Sequence, residues 1–321
     1  MSEVLLSIRD LKTHFFTSSG VIKAVDGISY DIYKGEIVGL VGESASGKSV
    51  SALSIIRLVP DPPGKIISGQ ILFKGENLLK KTEEEMRKIR GAKIAMSFQD
   101  PMTYLNPVFN VSEQIAEAIL LHQNVEKNEA MEMAIKTMED VKIPQPSERA
   151  KDFPHNFSGG MRQRILLAMA TSCKPNLLIA DEPTTALDVI VQHEILILLK
   201  ELKQKLKSSI LMITHDLGIV AQMADRVVIM YAGKVLETAD VNTIFRKPKH
   251  PYTRGLLDSL PKIESDEKII SIEGDVPDPT NLPSGCRFHP RCSFAKDICK
   301  NEEPVYTMID KEHYIACHRY E

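Results

Sequence analysis

Apolar and polar positions near the start of the chain are spaced as in strands. Val4-Leu5-Leu6-Ser7-Ile8 is apolar with one polar break, and Tyr30-Asp31-Ile32-Tyr33 alternates up to Lys34-Gly35. Glu36-Ile37-Val38-Gly39-Leu40-Val41 is a short buried strand that runs straight into a glycine-rich stretch, and helical spacing follows over Ser49–Leu58 until Pro60-Asp61-Pro62-Pro63-Gly64. Thr82-x-x-Glu85 predicts a capping box opening a helix to Arg90, closed by Gly91. Residues 100–157 are rich in Glu, Met and Ala, with helical spacing and no good strand, and predict a helical insert. Leu177–Ala180 and Ser209–Thr214 return to strand patterns, separated by a helix from about Val189 to Leu206. From Asp240 the chain is rich in Pro, charge and turns, which predicts a small C-terminal extension on an α/β core.

Composition bounds this picture. With 321 residues, 43% of them apolar, the chain can bury one large α/β core with an appendage. A net charge of -3 gives no case for nucleic-acid binding. No run of about 18 apolar residues occurs, and the longest, such as Ile165–Ala170 and Ile195–Leu199, are core-sized. Met1-Ser2-Glu3-Val4 has none of the marks of a secretory signal, so a soluble cytoplasmic protein is expected. Cys173 stands alone and is expected in the core, whereas Cys286, Cys292, Cys299 and Cys317 all fall near the C-terminus, a clustering that asks for a chemical reading.

The chemistry sits at the ends of the predicted strands. Gly42-Glu43-Ser44-Ala45-Ser46-Gly47-Lys48-Ser49 is a G-x-x-x-x-G-K-S phosphate loop between a strand and a helix. Gly42 and Gly47 permit backbone angles that let N–H groups, including those of Ser44 and Ser46, point at phosphate oxygens; Lys48 is placed to reach the β- and γ-phosphates and Ser49 to hold Mg²⁺. Asp181 follows four apolar residues, so it projects from a buried strand end, where ligands sit in open α/β sheets; it is expected to hold Mg²⁺, and Glu182 to polarise the attacking water. A solvated turn is the competing reading of this acidic pair. Gln99, after Ile94-Ala95-Met96-Ser97-Phe98, is a candidate contact for Mg²⁺ or that water, and His215, after Ile210–Thr214, a candidate γ-phosphate contact.

In this order, and with Ser158-Gly159-Gly160 between them, these motifs resemble the ATP-binding-cassette (ABC) ATPase family over residues 1–240. The resemblance implies an N-terminal antiparallel β-subdomain, a helical subdomain at about residues 100–160, and bound ATP and Mg²⁺. Gly42–Ser49 look like the phosphate loop, Gln99 the Q-loop, Ser158–Gly160 the signature, Asp181-Glu182 the metal-binding acid and catalytic base, Thr185-Ala186-Leu187-Asp188 the D-loop and His215 the switch histidine. Phe15, rather than Phe16, looks like the aromatic that stacks on adenine. The signature departs from Leu-Ser-Gly-Gly-Gln, reading Phe157-Ser158-Gly159-Gly160-Met161, which removes one Gln contact. That form is similar to the peptide-importer branch, as are Gln99-Asp100-Pro101-Met102-Thr103, His250-Pro251-Tyr252-Thr253-Arg254 and the cysteine tail over 241–321.

The chain thus looks like the first of two ATPase subunits of a dipeptide or oligopeptide permease, with a nickel or other small-solute importer as the alternative. The implied partners are a second ABC ATPase subunit (a second copy of this chain in isolation), two transmembrane permease subunits and, indirectly, an extracytoplasmic solute-binding protein. The implied location is the cytoplasmic face of the membrane, peripherally bound. DNA-repair and translation cassettes usually carry two cassettes or long inserts, and intact Glu182 and His215 argue against a non-enzymatic switch.

The tail spacing is Cys286-x5-Cys292-x6-Cys299-x17-Cys317. Four thiolates suit either a [4Fe–4S] cluster or structural zinc, with free or oxidisable thiols as the third reading. Zinc sites usually pair ligands as Cys-x2–4-Cys, and neither of the first two gaps fits. Resemblance to the peptide-importer tails also points to the cluster, which would make this a metal-binding extension.

Overall fold

The alternation at the start of the chain extends further than the sequence shows. The computed structural model describes residues 3–260 and 271–321. In it Val4–Thr17 and Gly20–Tyr33 form one long antiparallel hairpin, with Phe15 opposite Ile22 and Ile8 opposite Tyr30. Gly64–Phe73 pairs with the other edge of Val4–Thr17, Phe15 facing Gly64 and Ile8 facing Ile71, and Glu76–Asn77 completes a four-stranded antiparallel sheet. Leu6, Ile8, Leu11 and Thr13 are fully buried. Strict alternation cannot bury both Ile8 and Leu11 on one face; the register shift between them restores it.

The chain divides into two units. The first comprises Met1–Tyr33, Ile37–Leu79 and Thr214–Glu321. Besides the antiparallel sheet it holds Ile37–Val41, parallel to Arg226–Tyr231, which pairs antiparallel with Lys234–Asp240. The C-terminal hairpin of Tyr306–Asp310 and His313–Ala316 continues this layer, Glu237 opposite Ile315. Ile37–Val41 and Arg226–Tyr231 are buried at every position, as strands covered on both faces are.

The second unit comprises Lys34–Glu36 and Lys80–Ile213. Ile94–Ser97, Leu177–Asp181 and Ser209–Thr214 run parallel, with Ser97 beside Ala180 and Asp181 beside Ile213. The expected helical insert contains Pro101–Tyr104, Val111–His122, Lys127–Asp140 and Pro146–Arg149, followed by Gly159–Thr171. Its core is Ile115, Ile119, Ala130, Ala134, Met138 and Leu167. Asn110 and Glu113 cap the Val111–His122 helix reciprocally.

Three local expectations change. The phosphate-loop helix is Lys48–Ile55, not Ser49–Leu58. Arg57 adopts a left-handed conformation (φ 53°), and Arg57 N and Leu58 N donate to Ser54 O and Leu53 O, the double closure that ends a helix early. Thr82 and Glu85 do form the capping box, but that helix is Glu83–Arg87, because Ile89 N turns back to Met86 O, three residues behind it. Cys173 is half-buried rather than in the core, its thiol 3.4 Å from the Ala118 carbonyl oxygen.

Candidate active site

In the first unit, Ile37–Val41 delivers the chain to Gly42–Ser49. A Cβ at Gly42 would lie 2.1 Å from the Met230 carbonyl oxygen, and one at Gly47 (φ +99°) 2.2 Å from that of Ala24. Both positions therefore require glycine. Gly47 is the N-cap of the Lys48–Ile55 helix, so the first helical N–H groups face the loop. Lys48 is buried, and its ammonium donates to Gly42 O at 2.7 Å, Glu43 O at 2.8 Å and Ser46 Oγ at 3.3 Å. Ser46 is buried, and Ser44 and Ser49 are exposed. Phe15 lines an apolar cavity that also touches Ala45 and Gly47, whereas Phe16 is 52% exposed. His215 is exposed at the end of Ser209–Thr214, just before Asp216, which caps the Leu217–Met223 helix.

In the second unit the parallel register brings Gln99 to Glu182. Gln99 Nε2 donates to Glu182 Oε2 at 2.9 Å, and Thr185 Oγ1 donates to the same oxygen at 2.8 Å. Glu182 has left-handed backbone angles (φ 44°), a conformation that costs a non-glycine residue roughly 1–3 kcal/mol. Its N–H bonds Ile213 O at 2.9 Å, which holds it in place. Asp181 is buried at the strand end. Asp188 caps the Val189–Leu206 helix, accepting from Ile190 N and Val191 N. Ser158 caps Gly159–Thr171, and a Cβ at Gly160 would lie 2.4 Å from Val191 Cγ1. The departure at Met161 is accommodated by Arg149, whose Nη1 lies 3.3 Å from its sulfur and whose guanidinium stacks on Phe157.

The structure gives two more residues a place in the site. Thr185, read from sequence only as part of the D-loop motif, is one. Arg291 is another: it grips the Glu43 carboxylate with two nitrogens, at 2.8 and 3.2 Å, while the Tyr252 hydroxyl accepts from Glu43 N at 3.0 Å. These partners lie 248 and 209 residues away; Tyr252 stands in the His250–Arg254 motif, but nothing in that motif points to Glu43, and no local pattern marks Arg291.

In the tail all four cysteines are free thiols. Among the described residues no group of three or more His, Cys, Asp or Glu side chains is gathered tightly enough to hold a metal ion, so the expected metal-binding character of this extension is not supported by the side-chain arrangement. Cys299 Sγ accepts from Lys296 N at 3.4 Å. Burial pushes the Cys286 thiol up to about 12 and raises Cys292 and Cys317.

Comparison with known proteins fits this geometry. Residues 25–185 match the family model for the ABC transporter, and residues 236–299 that for the oligopeptide/dipeptide transporter C-terminal region. The oligopeptide transport ATP-binding protein AppD of Bacillus subtilis is 49% identical over 99% of this chain and 97% of that protein. The dipeptide transport ATP-binding protein DppD of Escherichia coli is 47% identical over 98% of this chain and 96% of its own. Among solved structures, the ATP-binding cassette MJ0796, captured as a dimer with ADP and Pi, aligns at a TM-score of 0.66 and 24% identity over 74% of this chain and 98% of that one. CbiO1 from Clostridium perfringens aligns at 0.65 and 26% over 76% and 92%. A glycine-bound phosphate loop, a Gln–Glu pair at adjoining parallel strand ends and near-full-length kinship together make this chain an ABC transporter ATPase, one that carries the oligopeptide/dipeptide-type C-terminal region.

Proposed function

We propose that this ATPase energises peptide import. The observation that carries the reading is the match to peptide-transport ATP-binding proteins along nearly the whole chain, tail included. ATP sits with its phosphates on Gly42–Ser49, held by the loop N–H groups and Lys48, and its base against Phe15. Ser49, Gln99 and Asp181 would hold Mg²⁺, being the oxygen ligands a hard cation takes, and the bound ion would supply charge neutralisation on the phosphates. Glu182 accepts the proton of the attacking water, Gln99 and Thr185 fixing the carboxylate, and His215 contacts the γ-phosphate.

Ser158–Gly160 and Asp188 serve the nucleotide of a second cassette subunit packed head to tail. Val189 and Ile190, beside Gly160 through Val191, are 80% and 75% exposed, an apolar surface that such a partner would cover. On the helical insert a groove of about 630 Å³ is lined by Tyr104, Phe109, Leu120, Leu121 and Met131, and suits an apolar segment of a permease subunit. The subunit sits peripherally at the cytoplasmic face, beside its permease subunits; among the described residues no helix is long and apolar enough to cross a membrane.

The tail cysteines would hold a [4Fe–4S] cluster in this reading. A cluster spreads four thiolates further apart than a single ion does, and the Lys296 N–H bond to the Cys299 sulfur is of the kind that stabilises a cluster thiolate.

If a dimer completes each site, turnover per chain rises steeply with protein concentration before levelling off. Phosphate release measured from nanomolar to micromolar chain checks this, and a rate per chain independent of concentration in a strictly monomeric sample overturns it. Loss of labelled dipeptide and oligopeptide uptake from cells lacking the chain tests the solute; loss of nickel uptake alone would assign it to the other branch.

A further inference from the structure

The cavity that Phe15 lines, about 330 Å³, is not built by the hairpin and phosphate loop alone. Val276, Pro277, Pro279 and Leu282, all from the C-terminal region, line it together with Phe15, Val50 and Gly47. Gly47 begins the helix whose amino end takes phosphate, so a nucleotide held there has its ribose and base beside this cavity. Among the described residues the only polar side chains on the lining are Thr17 and Lys23. A base placed here is held by buried area and stacking rather than by hydrogen bonds to its edge.

The wall is anchored. Asp278 accepts from Thr280 N at 2.8 Å and its carbonyl from Asn281 N at 3.0 Å, closing a turn within the segment. Just upstream, the Ile272 and Glu273 carbonyls accept from Arg291 at 3.4 and 3.0 Å. The same guanidinium binds both oxygens of the Glu43 carboxylate in the phosphate loop, and its side chain is only 6% exposed. One arginine thus joins the root of the wall to the loop that grips phosphate.

We propose that Val276–Leu282 is the second half of the base-binding surface, and that Arg291 is the positioning residue that sets it against the phosphate loop. The proposal rests on the ATPase reading and adds that the C-terminal region is an affinity element of the nucleotide site. Where Phe15 supplies one flat face, the prolyl and aliphatic groups supply further dispersion contacts, and two prolines limit the entropy lost when the base is bound.

The test separates base from phosphate. Binding of ATP and of inorganic tripolyphosphate, each with Mg²⁺, is measured by calorimetry on the full chain, on the Val276→Ala/Leu282→Ala double variant and on Arg291→Met. For the double variant we expect ATP affinity to fall about tenfold and tripolyphosphate affinity to stay within twofold; the retained tripolyphosphate binding also reports a folded phosphate loop. For Arg291→Met both ligands weaken, ATP several-fold more than tripolyphosphate. Unchanged ATP affinity in the double variant, or equal weakening of both ligands in it, overturns the proposal. A native chain that binds tripolyphosphate but gains nothing from the adenosine moiety overturns it too, and one that binds neither refutes the ATPase reading itself.

Discussion

Replacing Glu182 by glutamine removes a proton acceptor with almost no change in shape. In the native chain a single carboxylate oxygen accepts from Gln99 Nε2 at 2.9 Å and Thr185 Oγ1 at 2.8 Å. A glutamine can turn its amide oxygen to that position and keep both donors. The two bonds change from charge-assisted to neutral, roughly 1 kcal/mol each, so the fold loses no more than about 2 kcal/mol. Catalysis loses far more. A positioned base contributes about 10²- to 10⁴-fold, or about 3–5 kcal/mol of barrier. We therefore expect Glu182→Gln to bind ATP within about threefold of the native affinity, to form a longer-lived ATP-bound dimer, and to hydrolyse at least about a hundredfold more slowly. Phosphate release at saturating ATP gives the rate, calorimetry the affinity, and light scattering behind a sizing column the dimer. Glu182→Ala, which also removes the acceptor for Gln99 and Thr185, separates chemistry from scaffolding. A Gln variant within tenfold of native turnover would remove Glu182 from the role of base, and a parallel loss of ATP binding would make it structural.

Gly42→Ala places a methyl 2.1 Å from the Met230 carbonyl oxygen and 2.8 Å from Ser46 Oγ, so the loop must move; ATP affinity should fall at least about a hundredfold, and calorimetry showing a change under threefold would refute the close-packing argument. Stability should fall between neutral pH and pH 4. Burial drives His250 down from 6.5 to about 4, so in that window the unfolded chain binds a proton that the folded chain refuses, and stability is lost as pH falls, by up to about 1.4 kcal/mol per unit and roughly 3 kcal/mol in all. Glu237 acts in the same direction at lower pH: burial raises it, but hydrogen bonds from His313 and the Lys249 and His250 N–H groups outweigh burial and hold it low, so its contribution disappears as it protonates. His250→Asn, which keeps an acceptor for Tyr252 N, should flatten the pH 6.5–4 slope of urea midpoints; an identical slope would refute the assignment. Anaerobically purified chain should be brown, absorb near 400 nm and carry about four irons, and Cys292→Ser should lose the colour; one zinc per colourless chain would replace the cluster.

Legibility followed distance along the chain. The phosphate loop was readable because eight consecutive residues make it, and Thr82–Glu85 because a capping box spans one turn. Gln99 and Glu182 were readable across 83 residues because each follows an apolar strand, and parallel strands deliver their carboxyl ends to one edge. The helix end at Arg57 was missed because no glycine marks that left-handed position. Gly64–Phe73 was missed because it follows a proline-rich turn and its apolar residues do not alternate cleanly.

The tail shows most plainly what composition does and does not report. Past Asp240 the chain turns polar, and from sequence it reads as an appendage in want of a metal. Yet His313–Ala316 hydrogen-bonds to Lys234–Asp240, and fully buried Glu237 gathers Lys249 N, His250 N and His313 Nε2 within 3.0 Å. A buried carboxylate with its acceptors satisfied needs its donors in place, so the residues around 250 and 313 are held by directed bonds rather than by apolar area. The same economy recurs at Arg291, which satisfies Glu43 and two carbonyls at once. Such bonds leave no periodicity to read, since one arginine or glutamate does the work of an apolar face. They also make the region stiff where it meets the phosphate loop, so a change at Cys292 needs to travel only one residue to reach the group that holds Glu43.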